Sequence, residues 1–477
     1  MLFGITIVVV CSLVFFFGFR LQMKGKELPA LALLLLGGLI LRVFIASDPV
    51  LHPWDERYHA LVAKNLMSDF LKPVLYKTPL LPYDYTNWTE NHIWLHKQPL
   101  SLWLISLSLK LFGTNAFAVR IPSIIFSTLG ILLIYDLTRR LYDARTAYIA
   151  AFLFAINGLI LELTGGRTAT DHPDVHFLFY TLLGAWGIVK YHQTGKTGYC
   201  LLIGAALGAA ILTKWLSALL LVPLWLVLAY YGNSGSAPTR KQIGSLLVHL
   251  VLIIFTATAI ALPWQLYIMH RFPAEAAWEY AYNSRHFNEA LENHSGGFFY
   301  HFDKLRIIYG ELIYLPVAIF TYKVVKRQYH QRGWFLFIWF WLPFLFFSIA
   351  KTKMPAYTLI ASPAIFIITA LSFREWMDYA SQHRKWKPLL IAASIALIAL
   401  PVRYSLERLK PFSQPDVPER LKREIAAARA LERGTVLLNA QYPVECMFYG
   451  NVTAAYPALH DTLDSGIKRS NKVFVLE

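Results

Sequence analysis

Pro53-Trp54-Asp55-Glu56-Arg57-Tyr58-His59 follows shortly after an apolar run that ends near Ala46. Two adjacent acids at the exit of such a run are costly to place and hard to explain as packing. If the other charged clusters fall on the same side of a bilayer, this stretch marks an active site that faces one compartment.

Working outward, the whole chain has the composition of a membrane protein. Soluble domains carry about 25% charged residues, and this chain of 477 residues carries 16% with 56% hydrophobic. The net charge is +16, but the Lys and Arg residues punctuate the gaps between apolar runs, as orientation signals do. Anionic lipid head groups are therefore the expected partner, and no nucleic acid. Cys11, Cys200 and Cys446 are scattered, so neither a disulfide framework nor a metal knuckle is indicated. Residues 2–19 lack a basic start and a small-residue cleavage site, which favours an uncleaved helix over a signal peptide.

Apolar runs of spanning length at 2–19 and 28–46 are joined by a loop carrying Arg20, Lys24 and Lys26. Segment 54–70 places Trp54, Tyr58, Leu61, Asn65 and Leu66 on one helical face, with Glu56, His59, Lys64 and Ser68 mostly elsewhere. That pattern predicts a helix lying in the membrane interface. Residues 71–98 read as a Pro-rich loop and 99–113 as an interfacial or re-entrant helix. Further runs follow at 117–137, 145–163, 173–190, 198–213, 215–231, 244–262, 306–324, 333–350, 355–371 and 388–403, for about twelve crossings in all. Alternating sides from the first loop puts Arg139, Arg140, Arg145, Lys190, Lys196, Arg240, Lys241, Lys326, Arg327, Arg332, Arg384, Lys385 and Lys387 inside. The same alternation puts Asp55, Lys97, Arg167, Asp171, Lys214, Lys351, Lys353 and the 263–305 loop outside. The positive-inside bias and the clustering of candidate chemistry agree.

The fold class expected is an all-α polytopic membrane protein plus a small soluble α/β unit at the C-terminus. Residues 1–403 form the membrane domain, with outer loops 47–116 and 263–305, and 404–477 form the outer unit. Within that tail, Pro418–Glu432 and Pro443–Tyr449 read as helices and Thr435–Leu438 and Lys472–Leu476 as strands.

The outer face offers acids at Asp55, Glu56, Asp171 and Asp174, and cations at Arg57, Lys97, Arg167, Lys214, Arg285, Lys351 and Lys353. His96, His172, His286 and His294 complete the set. Taking a sugar from a lipid phosphate needs a carboxylate to accept the proton of the incoming nucleophile. It also needs cations for the departing phosphate, whose charge grows as the glycosidic bond breaks. Simpler roles compete. Asp55 and Glu56 could cap the 54–70 helix, Lys97 could anchor at head groups, and Arg167 with Asp171 could be an i,i+4 ion pair. Lys351 and Lys353 could be boundary charges, although their outer location runs against the usual bias. Lys214 is harder to dismiss, because it sits between two apolar runs with almost no loop to carry it.

In this order and spacing, several short motifs carry a resemblance. They are Asp55-Glu56-Arg57-Tyr58, Lys97-Gln98-Pro99-Leu100, Lys110-Leu111-Phe112-Gly113, Arg120-Ile121-Pro122-Ser123, Arg167 with Asp171, and Leu212-Thr213-Lys214. Pro263-Trp264, Asn293-His294-Ser295-Gly296 and Lys351-Thr352-Lys353-Met354-Pro355-Ala356-Tyr357 complete them. Over most of 28–370 the chain resembles the GT-C membrane glycosyltransferases of family 39, in the bacterial branch of aminoarabinose lipid A transferases and protein mannosyltransferase relatives. The resemblance implies an inverting transfer from a polyprenyl-phosphate-linked sugar, on the periplasmic or exterior face of the bacterial plasma membrane, to lipid A, a glycan or glycolipid, or a protein hydroxyl.

Carried over by residue, the resemblance implies catalytic roles for Asp55, Glu56 and Asp171, with Asp55 as base or acceptor-orienting group. Lys97, Lys214, Arg285, Lys351, Lys353 and Tyr357 would meet the donor phosphate, and Arg57, Tyr58 and Arg167 would shape the cleft. Relatives often carry an acid where this chain has His96. No cofactor is required by this reading, and His96 with His294 is the candidate pair for a divalent metal. A polyprenyl-linked-sugar transporter or flippase is the second class, disfavoured by the absence of repeated halves and by charges gathered at one face. An envelope polymer ligase or polymerase is the third.

Overall fold

The computed structural model describes residues 2–78, 80, 83–231, 239–329, 331–456 and 472–476, except for the side chains of Tyr230, Tyr231, Arg240 and Lys241. The chain is predominantly helical. Helices α1 (Leu2–Met23) and α2 (Glu27–Ile45) pack side by side, and α3 (Asp55–Leu66) and α4 (Pro99–Phe112) follow across the first outer loop. Next come α5 (Ala116–Leu141), α6 (Ala144–Ile156) and α7 (Gly158–Thr164). Local chemistry starts these helices: Asn115 accepts from the Ala118 N–H, Asp143 from those of Arg145 and Thr146, and Asn157 from that of Ile160. The Asn157 cap also breaks the run 145–163, so that α6 and α7 meet at 50°.

Helix α8 (Asp171–Thr194) begins at the outer face, and α9 (Gly198–Lys214) returns along it. A 3-10 turn, Trp215–Leu220, then leads into α10 (Leu221–Tyr231). The chain reverses here, since Lys214 meets Asp174 in the first turn of α8 while Trp225 lies 6.1 Å from Tyr191 near its end. Beyond it lie α11 (Arg240–Arg271), α12 (Pro273–Asn288), α13 (Tyr300–Tyr309), α14 (Tyr314–Val325), α15 (Gln331–Ile349), α16 (Ser362–Gln382) and α17 (Lys387–Leu409).

Among the described residues, eight helical stretches are long and apolar enough to cross a membrane, or nine counting the bent α6–α7 pair. Several expected spans take another form. Segment 306–324 is split at Gly310, whose φ of +93° lies where a side chain would be strained. Segment 355–371 opens as a 3-10 turn before α16, and the last span runs beyond 403 to Leu409.

The basic loops meet at one end of the bundle. Gln22 donates to the Ala144 carbonyl at 3.1 Å, Arg139 pairs with Glu27 at 3.0 Å, and Arg140 donates to Gln193 at 3.3 Å. Arg332 donates to the Leu141 carbonyl at that same end. Arg240 and Lys241, expected there too, have side chains outside the described residues.

Helix α3 departs most from expectation. Glu56, His59 and Asn65 are buried together with Tyr58, Leu61 and Leu66. The polar side of α3 thus faces protein: Glu56 meets Arg120, His59 meets Asp171, and Lys64 meets the C-terminal unit, which also covers the apolar side. That unit contains α18 (Glu419–Ala430), α19 (Pro443–Tyr449) and a sheet in which β1 (Val436–Leu438) is flanked by β2 (Thr453–Ala454) and β3 (Val473–Val475), both parallel to it. Parallel neighbours need a crossover, and α19 provides the one between β1 and β2. Leu437, Val444, Cys446 and Phe448 share one apolar cluster with Tyr58, Leu61 and Leu66.

Candidate active site

A cavity of about 1170 Å³ opens at the outer end of the bundle. Its walls differ in character. Leu216, Leu219, Leu220 and Pro223 face Leu342, Phe346 and Phe347 across an apolar slot, while Asp55, Lys97, Asp174, Lys214 and Glu292 gather at the polar part.

Asp55 stands on the first turn of α3. Its Oδ2 accepts from the Thr170 N–H at 3.0 Å and lies 3.7 Å from Lys97 Nζ. Burial works against its ionisation, but Lys97, His59, His96 and the Thr170 N–H together hold the carboxyl below the usual carboxylate range. The folded value is depressed, so the stability that ionised Asp55 contributes is present above about pH 4, the unfolded value. It is lost as pH falls through the lower folded value, and a pH series of unfolding temperatures for wild type and Asp55→Asn should converge only on that acid side.

Lys214, ending α9, is ion-paired with the buried Asp174, and its ammonium lies 5.2 Å from the centroid of the Tyr357 ring. A second Asp174 oxygen is buried without a partner among the described residues. Lys214→Ala should therefore do two things: leave Asp174 as an uncompensated buried charge and remove a cation from the cavity. Loss of thermal stability restored by Lys214→Ala/Asp174→Asn, with anion binding not restored, would separate the two effects.

The backbone is unusual at this site. Thr170, Trp215, Glu292 and Asn293 have φ of 68°, 64°, 53° and 61°, and all four line the cavity. Non-glycine residues in this region cost about 1 kcal/mol or more each and collect where the surroundings over-determine them.

The other residues expected from sequence divide into two groups. Arg57, Tyr58, His96, His294 and Tyr357 line the cavity. His96 lies flat on Trp88, centroids 4.6 Å apart, with Nδ1 3.5 Å from Glu279 Oε2. Among the described residues no three His, Cys, Asp or Glu side chains come together to hold an ion, and His96 with His294 gains no third donor.

Glu56, Asp171, Arg167, Arg285, Lys351 and Lys353 do not line it. Glu56 turns inward and is held by Arg120, Nε to Oε1 at 2.7 Å and Nη2 to Oε2 at 2.9 Å. Asp171 meets His59 Nδ1 at 2.8 Å in a fully buried pair. Arg167 binds Asp48 at 2.7 Å rather than Asp171. Arg285 pairs with Glu289 at 2.8 Å on the surface, and Lys351 is exposed. Lys353 is buried, with Nζ donating to the Phe347 and Ser348 carbonyls at the end of α15, both at 2.7 Å. These cations are spent on protein partners or directed to solvent.

A tight structural feature lies behind Glu56. Gly166 has φ of +73°, and a Cβ there would run into the Glu56 carboxylate. Gly166→Ala should lower stability by about 1–3 kcal/mol, seen as a lower unfolding temperature in detergent. Of two further cavity residues, Asp174 stood among the outer-face acids without a role assigned, and Glu292 was not singled out from sequence. Glu292 Oε1 accepts from Trp88 Nε1 at 2.8 Å and Tyr282 OH at 2.7 Å, joining the first outer loop to the segment after α12. Its position beside the Asn293-His294-Ser295-Gly296 motif was the available signal.

Residues 96–264 match the family model described as dolichyl-phosphate-mannose-protein mannosyltransferase. The chain is 27% identical over 350 residues to an undecaprenyl phosphate-alpha-4-amino-4-deoxy-L-arabinose arabinosyl transferase of Enterobacter sp. (strain 638), covering 71% of this chain and 58% of that protein. With transferase 2 of the same description from Proteus mirabilis, identity is 30% over 284 residues, 57% of this chain and 49% of that protein. The chain thus spans less than two thirds of the length of these curated relatives. The crystal structure of ArnT from Cupriavidus metallidurans bound to undecaprenyl phosphate superposes with a TM-score of 0.63 at 17% identity, covering 93% of this chain and 89% of that one.

The chain is a GT-C fold membrane protein related to these glycosyltransferases. The apo Archaeoglobus fulgidus oligosaccharyltransferase shares the fold, with a TM-score of 0.62, 14% identity, and coverage of 89% of this chain and 64% of that one. In this GT-C setting the protein is a multi-pass component of the bacterial inner membrane, its cavity opening to the periplasm.

Proposed function

We propose that the protein is a glycosyltransferase that moves a sugar from a polyprenyl-phosphate donor to an envelope acceptor with inversion. The observation that carries this reading is the pairing of Asp55–Lys97 and Asp174–Lys214 at the polar part of a cavity whose other side is an apolar slot. The slot suits an isoprenoid tail, and the two lysines suit the phosphate it bears. About twelve crossings, an interfacial placement of the outer helices, and the division into 1–403 and 404–477 belong to this proposal.

In the proposed step the acceptor oxygen attacks the anomeric carbon and the bond from that carbon to the phosphate oxygen breaks. The lipid phosphate leaves with the bonding electrons, and the acceptor proton passes to Asp55. Lys97 and Lys214 stabilise the phosphate as its charge grows. A carboxylate held below its usual range is a weaker base, and here the donor itself adjusts it. Once Lys97 turns to the phosphate, its pull on Asp55 weakens and the carboxyl becomes more basic. Tyr58 and Arg57 frame the acceptor side, and the acceptor is lipid A, a glycolipid or polysaccharide, or a protein hydroxyl.

Release of free undecaprenyl phosphate tests the reading. Purified protein is supplied with a panel of undecaprenyl-phosphate sugars and envelope lipids or proteins as acceptors. Acceptor-dependent release is the expected result, whereas movement of intact donor across a vesicle membrane without release would mark a transporter.

A further inference from the structure

The C-terminal unit touches α3 along its whole length, and the contacts are polar as well as apolar. Lys64 Nζ donates to the Met447 and Phe448 carbonyls, both at 2.8 Å, and to that of Gly450 at 2.5 Å, closing the end of α19. Cations are favoured at a helix C-terminus. The Leu51 N–H donates to Tyr449 OH at 2.9 Å. At the other end of α19, the side chain of Glu445 is 1% exposed and Arg57 Nη1 donates to its Oε1 at 3.4 Å.

Arg57 is where this unit reaches the cavity. Its Nη2 donates to Tyr58 OH at 3.3 Å and its guanidinium carbon lies 4.9 Å from the centroid of the Tyr58 ring. Tyr58 in turn packs edge-on against Trp88, centroids 5.0 Å apart. Arg57 Nε and Glu445 Oε2 are both buried without a partner among the described residues. A buried carboxylate with one long contact is expensive unless it performs a task, and the guanidinium retains a donor. Arg57 and Trp54, the latter 61% exposed, both line the cavity.

We propose that Glu445 is a positioning residue: from the C-terminal unit it fixes Arg57 at the acceptor side of the cavity, where the guanidinium binds an oxyanion of the incoming substrate. The inference rests on the transferase reading above and adds to it a residue outside the membrane domain. Removing the carboxylate leaves Arg57 charged and held by Tyr58 alone, so acceptor binding weakens while the donor end keeps Lys97 and Lys214.

The test uses full-length protein in detergent, with release of undecaprenyl phosphate followed as envelope lipids are titrated. In Glu445→Gln the half-saturating lipid concentration should rise about tenfold or more, the scale of one charge-assisted hydrogen bond. Maximal rate and inhibition by added undecaprenyl phosphate should stay near wild type. Arg57→Lys should behave alike, the double variant should lose little more, and Glu445→Asp should recover part of the loss. An equal shift in inhibition by undecaprenyl phosphate, or an unchanged acceptor dependence, would overturn the proposal. If wild type releases nothing from any donor, the transferase reading fails. The pairing is then judged from unfolding temperatures of Arg57→Ala, Glu445→Ala and the double variant, where additive losses refute it and a smaller combined loss supports it.

Discussion

Asp55→Asn should lower undecaprenyl phosphate release by about 100- to 10,000-fold, the usual contribution of a positioned general base. The amide preserves shape and can still accept from the Thr170 N–H, which holds the carboxylate at 3.0 Å. It cannot take a proton. Donor binding should be kept or improved, because Lys97, now 3.7 Å from Asp55, loses its resident anion and is freer to meet phosphate. Expression and undecaprenyl phosphate affinity should therefore stay close to wild type while turnover falls, and the unfolding temperature should drop only by the share that ionised Asp55 contributes. Full activity in Asp55→Asn would remove the carboxylate from the chemistry.

The largest effect on stability is expected at Arg120. This guanidinium is completely buried, grips both oxygens of Glu56, and donates to the carbonyls of Ala46 at 3.0 Å, Asp48 at 2.6 Å and Val50 at 2.8 Å. It thereby ties the exit of α2 to the start of α3. Arg120→Ala strands the Glu56 carboxylate and three carbonyl contacts in the interior, a loss of about 3–5 kcal/mol for the ion pair alone. Little folded protein should survive extraction. Arg120→Ala/Glu56→Gln should recover part of the loss, since the unpaired charge is then gone. Equal yields of wild type and Arg120→Ala by size-exclusion chromatography would show that the pair carries no such load.

Some of this was legible from residues alone. The gathering of charge on one face followed from the cost of placing ionisable groups at membrane boundaries, and Asp55, Lys97 and Lys214 do line one cavity. The choice between close neighbours did not follow from it. Asp55 and Glu56 are adjacent on a helix, about 100° apart in direction, so one faces the cavity and the other the core. Asp171 and Asp174 divide in the same way, one going to His59 and the other to Lys214. Lys351 and Lys353 split between solvent and the end of α15. Which member of each pair turns inward is set by how the helices pack, and hydropathy carries no record of it. Crossing number was blurred for a related reason, because caps and turns at Asn157 and Gly310 break apolar runs that read as continuous.

The clasp between α3 and α19 also bears on how the protein is made. Glu445 lies 388 residues after Arg57 along the chain. As the ribosome delivers the chain from its N-terminus, α3 is exported early, with its buried flank still bare. The cavity wall can mature only after the C-terminal unit has crossed the membrane and folded against it. Until that unit docks, the flank of α3 carrying Tyr58, Leu61 and Leu66 has no apolar cover, and the pairing of Arg57 with Glu445 marks its arrival.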